Sequence, residues 1–125
     1  MLAKTKLMAF VCTANEDKAR IFYRDTLGLP LLEEHQFAMV FDANGIELRV
    51  SKSPAHQPAR HTVLGWQVPD IVAGVRQLES AGVVFNRYEG MGQDENAVWQ
   101  APGGSRVAWF PDPDGNVLSL TEHPL

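Results

Sequence analysis

The stretch Asn15–Leu29, NEDKARIFYRDTLGL, decides the fold. Asn15 has the side chain of an N-cap, and Ala19, Phe22, Tyr23 and Leu27 follow it at helical spacing. Lys18, Arg20 and Arg24 take the other side. Gly28 ends the helix as the residue after its last turn, and Pro30 prevents continuation. Upstream, Leu7–Thr13 is a short apolar strand. Downstream come three more, Leu31–Glu34, Phe37–Asp42 and Ile46–Ser51. The last two are joined by the turn Asp42-Ala43-Asn44-Gly45. The order is β-α-β-β-β.

The pattern then restarts. Residues 54–61 contain Pro54, Pro58, His56 and His61, lack periodicity and read as a linker. Val63–Val68 is a strand, and Pro69-Asp70 opens a helix with Ile71, Val75 and Leu78 on one face. Gly82 ends that helix as Gly28 ends the first. Val83–Tyr88, Arg106–Phe110 and Asn116–Thr121 read as strands, the last two joined by Pro111-Asp112-Pro113-Asp114-Gly115. Asn15 thus corresponds to Asp70, Gly28 to Gly82, Asp42 to Asp112 and Gly45 to Gly115. The chain reads as one domain, 1–125, built of module 5–53, linker 54–61 and module 62–125. The second module has an insertion, Glu89–Gly104, around a short strand Ala97–Gln100. A plain surface hairpin and a loop closing over a site both fit it. Each module covers one sheet face with its helix and leaves the other open. The expected class is α+β, two tandem βαβββ modules forming a curved mixed sheet around a cavity.

Composition excludes several classes. The chain has 125 residues, of which 45% are hydrophobic and 21% charged, so it can bury a core without disulfides. No apolar run is long enough to span a bilayer. A net charge of −4 argues against a general nucleic-acid binder. A lone Cys12 forms no intrachain disulfide, and the N-terminus lacks a signal-peptide cleavage pattern, so a cytoplasmic location is expected. The four histidines are scattered, and no two have the i,i+4 spacing of a helical metal site.

The segment Ala19-Arg20-Ile21-Phe22-Tyr23-Arg24-Asp25, with Leu27-Gly28-Leu29, resembles the first helix of the vicinal oxygen chelate superfamily. That group includes glyoxalase I, extradiol dioxygenases, and bleomycin- and fosfomycin-resistance proteins. Asp112-Pro113-Asp114-Gly115-Asn116, followed by Leu118-Ser119-Leu120, is similar to its last turn and strand. The resemblance implies a glyoxalase/bleomycin resistance-like fold, a small-molecule ligand and a homodimer. It also implies four metal-ligand positions, which fall on Met8, Glu47, Val63 and Ser119. Only Glu47 has the residue type of the metal-using members. Divalent metals need about three or four nitrogen, oxygen or thiolate donors at one point. No metal residues and no cofactor are therefore predicted. A divalent metal is the second reading, with His61 and His123 as off-register donors.

With the ligand positions implied by the resemblance taken as inward-facing, strand alternation puts Met8, Phe10 and Cys12 on the cavity side with Glu47, Arg49, Val63, Gly65, Gln67, Val117, Ser119 and Thr121. The opposite parity is almost wholly apolar, as a helix-covered face should be. Glu47 and Arg49 share a face. They read either as an ion pair or as a base beside a cation for an anionic or carbonyl group, which makes Glu47 the candidate catalytic residue. Tyr88, Phe37, Trp99 and Trp109 are an aromatic surplus, suited to packing or to stacking on a flat ligand. Cys12 reads as a buried inert thiol rather than a nucleophile. The ligand-binding candidates are Met8, Phe10, Cys12, Glu47, Arg49, Gln67, Trp99, Trp109 and Ser119. The expected function is binding of a small organic molecule without the usual metal site, with no nucleic-acid or membrane partner. The alternative is a metal-dependent lyase or isomerase, or a dioxygenase, of glyoxalase type with substituted ligands.

Overall fold

A computed structural model describes residues 1–125. It divides into two compact units, Met1–Pro58 and Ala59–Leu125. The first holds strands β1 (Met8–Thr13), β2 (Leu31–Glu34), β3 (Ala38–Ala43) and β4 (Ile46–Lys52), in the order β1-β4-β3-β2. β1 runs parallel to β4, and the other neighbours are antiparallel. The second holds β5 (Thr62–Gln67), β6 (Trp99–Gln100), β7 (Arg106–Pro111) and β8 (Val117–Glu122), in the order β5-β8-β7-β6. Its parallel pair is β5 and β8. The two units repeat one topology, and the fold is α+β with mixed sheets.

Helix α1 (Glu16–Ile21) starts where the Asn15 side chain accepts the Lys18 N–H. It then widens into a π turn, Phe22–Thr26, in which the Leu27 N–H reaches the Phe22 carbonyl. The wide turn accommodates two consecutive buried aromatics, Phe22 and Tyr23. Tyr23 lies 5.2 Å from Phe22, edge to face, and 5.8 Å from Phe41. Ala19, Met39, Phe41, Leu48 and Val50 complete this core. Gly28 takes φ +75°, the left-handed conformation its place after the helix requires.

Helix α2 (Ile71–Ser80) is capped twice. The Asp70 side chain accepts the Ala73 N–H, and Glu122 of β8 accepts the Ile71 N–H at 2.9 Å. The second cap is tertiary, since 51 residues separate its partners. Ile71 and Val75 are fully buried, as are Ala108, Phe110 and Leu118 of the sheet.

The expected strand Val83–Tyr88 does not form. One backbone bond ties it to the sheet, from Asn86 N–H to the Trp109 carbonyl. β6 takes the edge of the sheet instead, pairing Trp99 with Val107. The backbone of Asn86 and Tyr88 is satisfied by a side chain. The Gln93 amide accepts the Tyr88 N–H at 2.7 Å and donates to the Asn86 and Ala97 carbonyls. A glutamine amide matches one peptide group, so it substitutes for a neighbouring strand over this short length.

An ion network joins α1, β2 and β4. Arg20 binds Glu34 through both carboxylate oxygens, at 2.8 and 2.6 Å, and also binds Asp17. Lys52 donates to Glu34 at 2.9 Å. The Arg20 hydrogen bonds, then that of Lys52, hold the Glu34 carboxyl down at about 2. The folded value lies below the ordinary one of 4.5, so the network's contribution is complete above that value. It is lost as pH falls from there toward 2. Glu34→Gln is expected to cost about 1 kcal/mol at neutral pH, because the groups are partly solvated. Urea unfolding should show the gap from wild type closing toward the acid end of that window.

Candidate functional site

Each unit presents one sheet face away from its helix. On the first, register aligns three rows. Glu33, Val40, Arg49 and Phe10 form the middle row across β2, β3, β4 and β1. Asp42, Glu47 and Met8 form the row on one side, and Ala38, Ser51 and Cys12 the row on the other. Five candidates from the sequence, Met8, Phe10, Cys12, Glu47 and Arg49, therefore share this face. Cys12 is half-buried rather than enclosed, because β1 is the edge strand of the sheet. Phe10 is 59% exposed. Met8, Asp42 and Glu47 border a depression of about 290 Å³ with Lys6, Leu32 and Ile46.

Arg49 is the polar centre of this face. Its Nη1 donates to Glu47 Oε2 at 3.3 Å. Its Nη2 lies 3.4 Å from Nε2 of His35, just beyond the end of β2. His35 is absent from the candidates read from sequence. The available signal is that it stands two residues after Glu33, on the same side of the alternation. Asp42 turns its carboxylate to the Gly45 N–H at 2.7 Å, which closes the β3–β4 turn.

On the second unit, Gly65, Ser119 and Trp109 form one row across β5, β8 and β7. Gln67, Thr121, Val107 and Trp99 form the next. Four more candidates, Gln67, Ser119, Trp109 and Trp99, thus share this face. The Trp99 and Trp109 rings are 5.9 Å apart and tilted by 34°. Tyr88 meets Trp109 edge to face at 5.5 Å, and its hydroxyl accepts from the Asn86 amide. Both tryptophans are half-buried. A Cβ on Gly65 would lie 2.6 Å from Ser119 Oγ, so the glycine makes room for the hydroxyl. The insertion is pinned around the wall. Gln93 holds Asn86, Tyr88 and Ala97, and Asp94 accepts from the Asn96 and Val98 N–H groups. Nothing in the sequence marks Gln93 for that role.

The four positions implied as metal ligands do not fit a divalent transition metal. They offer a thioether, a carboxylate, an isopropyl group and a hydroxyl, and the carboxylate of Glu47 is already engaged by Arg49. Val63 also sits in a β-bulge, between Thr62 paired with Val117 and Leu64 paired with Leu118. No three His, Cys, Asp or Glu side chains gather into a metal-holding group. His123 Nδ1 lies 2.8 Å from the Ser105 hydroxyl, and His61 is exposed where β5 begins.

Comparison with known proteins agrees with this architecture. The chain aligns with a bleomycin resistance determinant encoded on transposon Tn5 over 98% of its own length and 100% of the other. That match has 20% identity and a TM-score of 0.75. A glyoxalase family protein from Enterococcus faecalis matches equally, at 20% identity, coverage of 98% and 100%, and a TM-score of 0.75. A lactoylglutathione lyase from Agrobacterium tumefaciens matches at 17% identity, coverage of 95% and 93%, and a TM-score of 0.67. These likenesses show the fold. No curated protein sequence matches the chain. The model of the Glyoxalase/Bleomycin resistance protein/Dioxygenase superfamily matches residues 7–120, nearly the whole length. The chain, with its twice-repeated βαβββ unit, belongs to that superfamily.

Proposed function

We propose that this protein binds a small, flat organic molecule on the open face of its second sheet, without a metal ion. The observation that carries this reading is the wall of Trp99, Trp109 and Tyr88 beside the Ser119 hydroxyl. Half-buried indole rings give a large apolar area, which suits burial and stacking of a planar ligand. The hydroxyl and the Gln67 amide in the adjoining row supply polar contacts that select an orientation. The bonds of Gln93 and Asp94 fix the loop that carries Tyr88 and leads into Trp99, so little ordering remains for binding. The metal-free part of the reading rests on the donor chemistry at Met8, Glu47, Val63 and Ser119.

The same reading takes the protein as a cytoplasmic homodimer. The lone cysteine suits a reducing compartment, and Ile21, Leu7 and Val84 expose 55–78% of their surface. Light scattering should give twice the chain mass. No helix is long and apolar enough to cross a membrane.

The test is a titration of untagged protein with a panel of planar aromatic compounds, followed by tryptophan emission, with and without chelator. A saturable quench that survives chelation is expected. Trp109→Leu should weaken it about tenfold or more. Stoichiometric metal in the purified protein, with the quench abolished by chelator, would overturn the metal-free reading. No response from any compound would overturn the binding site.

A further inference from the structure

We propose that Arg49 and His35 form an oxyanion-binding pair on the open face of the first sheet, a site for the carboxylate or phosphoryl group of a small organic acid. The Phe37 backbone N–H donates to His35 Nδ1 at 3.2 Å. A backbone N–H only donates, so Nδ1 bears the lone pair and Nε2 bears the proton. That Nε2 lies 3.4 Å from Arg49 Nη2. A guanidinium is also a donor only. With the proton on Nε2 neither nitrogen can accept from the other, so the fold sets two donors 3.4 Å apart. The partner that such a pair can share is an oxygen with several lone pairs, and an anionic oxygen binds both donors most strongly.

The surroundings hold the pair in place. Glu47 engages Nη1, which orients the guanidinium and leaves the Nη2 side toward His35. The Phe37 N–H fixes the imidazole from its far side, and the Phe37 carbonyl is itself bonded by the Lys52 N–H. The acidic groups of this face are Glu47 and Asp42 in one row and Glu33 in the Arg49 row. Asp42 is turned to its own hairpin turn. With Glu47 balancing Arg49, recognition depends on paired hydrogen bonds more than on net charge. Phe10 pairs directly with Arg49 and is 59% exposed, and Phe37 beside His35 is 69% exposed. An acid with an apolar body therefore fits better than a bare inorganic anion.

This site lies in the first unit and does not depend on the tryptophan wall of the second. The test is long-range proton–nitrogen NMR of the histidine rings in the full chain at about pH 8, where a histidine ring is ordinarily neutral. His35 should show the Nε2–H tautomer. Titration with benzoate and phenylphosphonate, at constant ionic strength in sodium chloride, should then give saturable shifts at the His35 ring and the Arg49 Nε. The stronger of the two acids identifies the carboxylate or phosphoryl source. Benzamide, the neutral analogue, should give none. His35→Phe and Arg49→Met should each weaken benzoate binding about tenfold. The Nδ1–H tautomer in the wild-type protein, shifts without saturation, or an equal response to benzamide would each overturn the proposal. The tautomer is read without any variant, so a misfolded mutant cannot decide the outcome. Loss of the tryptophan quench with these shifts retained would sink the wall alone, and the converse would sink this pair alone.

Discussion

Phe110→Ala is expected to lower the unfolding free energy by about 3–5 kcal/mol. Phe110 is fully buried, and its ring lies 5.3 Å from that of Phe85. It faces the helix side of the second sheet with Ala108 and Leu118, both also fully buried. Alanine removes most of a ring that no neighbour can replace, because backbone bonds to β8 hold the strand in register. The cost is the lost burial plus the cavity left behind. Leucine keeps much of the volume, so Phe110→Leu should cost about 1–2 kcal/mol. Thermal or urea unfolding of the full chain gives both numbers. Equal effects for alanine and leucine would show that the site collapses around the smaller side chain.

Asp112→Ala should cost about 3 kcal/mol, comparable to the loss of a core residue though it removes only a carboxylate. Asp112 is 5% exposed and Asn116 2%. Asp112 Oδ1 accepts the N–H groups of Asp114 and Asn116, both at 2.9 Å, and Oδ2 accepts the Asn116 side-chain amide at 2.8 Å. The backbone also closes the turn, from the Asp112 N–H to the Asn116 carbonyl at 3.0 Å. Alanine would leave three donors without this acceptor in a place with little access to water. Asp112→Asn keeps one carbonyl oxygen and should recover more than half of the loss. Urea unfolding distinguishes the two variants, and an Asp112→Ala protein as stable as wild type would refute the account.

Much of the fold is legible along the chain because it is carried by local chemistry. Asn15 and Asp70 both cap helices, and Gly28 and Gly82 both adopt positive φ where helices end. The alternation that separates Leu48 and Val50 from Glu47 and Arg49 is the alternation of the sheet. The reading failed at Val83–Tyr88, where β-branched and aromatic residues satisfy strand propensity yet form no ladder. A strand needs a partner with free backbone groups. There Gln93, five residues beyond Tyr88, takes the bonds first. The expected burial of the Cys12 thiol failed for a related reason. An apolar strand pattern does not say that its strand is an edge.

The sequence by itself determined the element order, the repeat, the helix caps and which parity of each strand is apolar. All of these arise from φ/ψ preference and periodicity within a few residues. The tertiary structure alone decided the sites. His35 and Arg49 are 14 residues apart, and they meet because β2, β3 and β4 lie side by side in register. Trp99 reaches Trp109 because β6 pairs with β7, and α2 gains its second cap from Glu122 at the end of β8. Local preference sets where a strand runs, whereas register between strands sets which side chains touch. Register is a property of the folded sheet, fixed by the sum of its backbone bonds and its buried face.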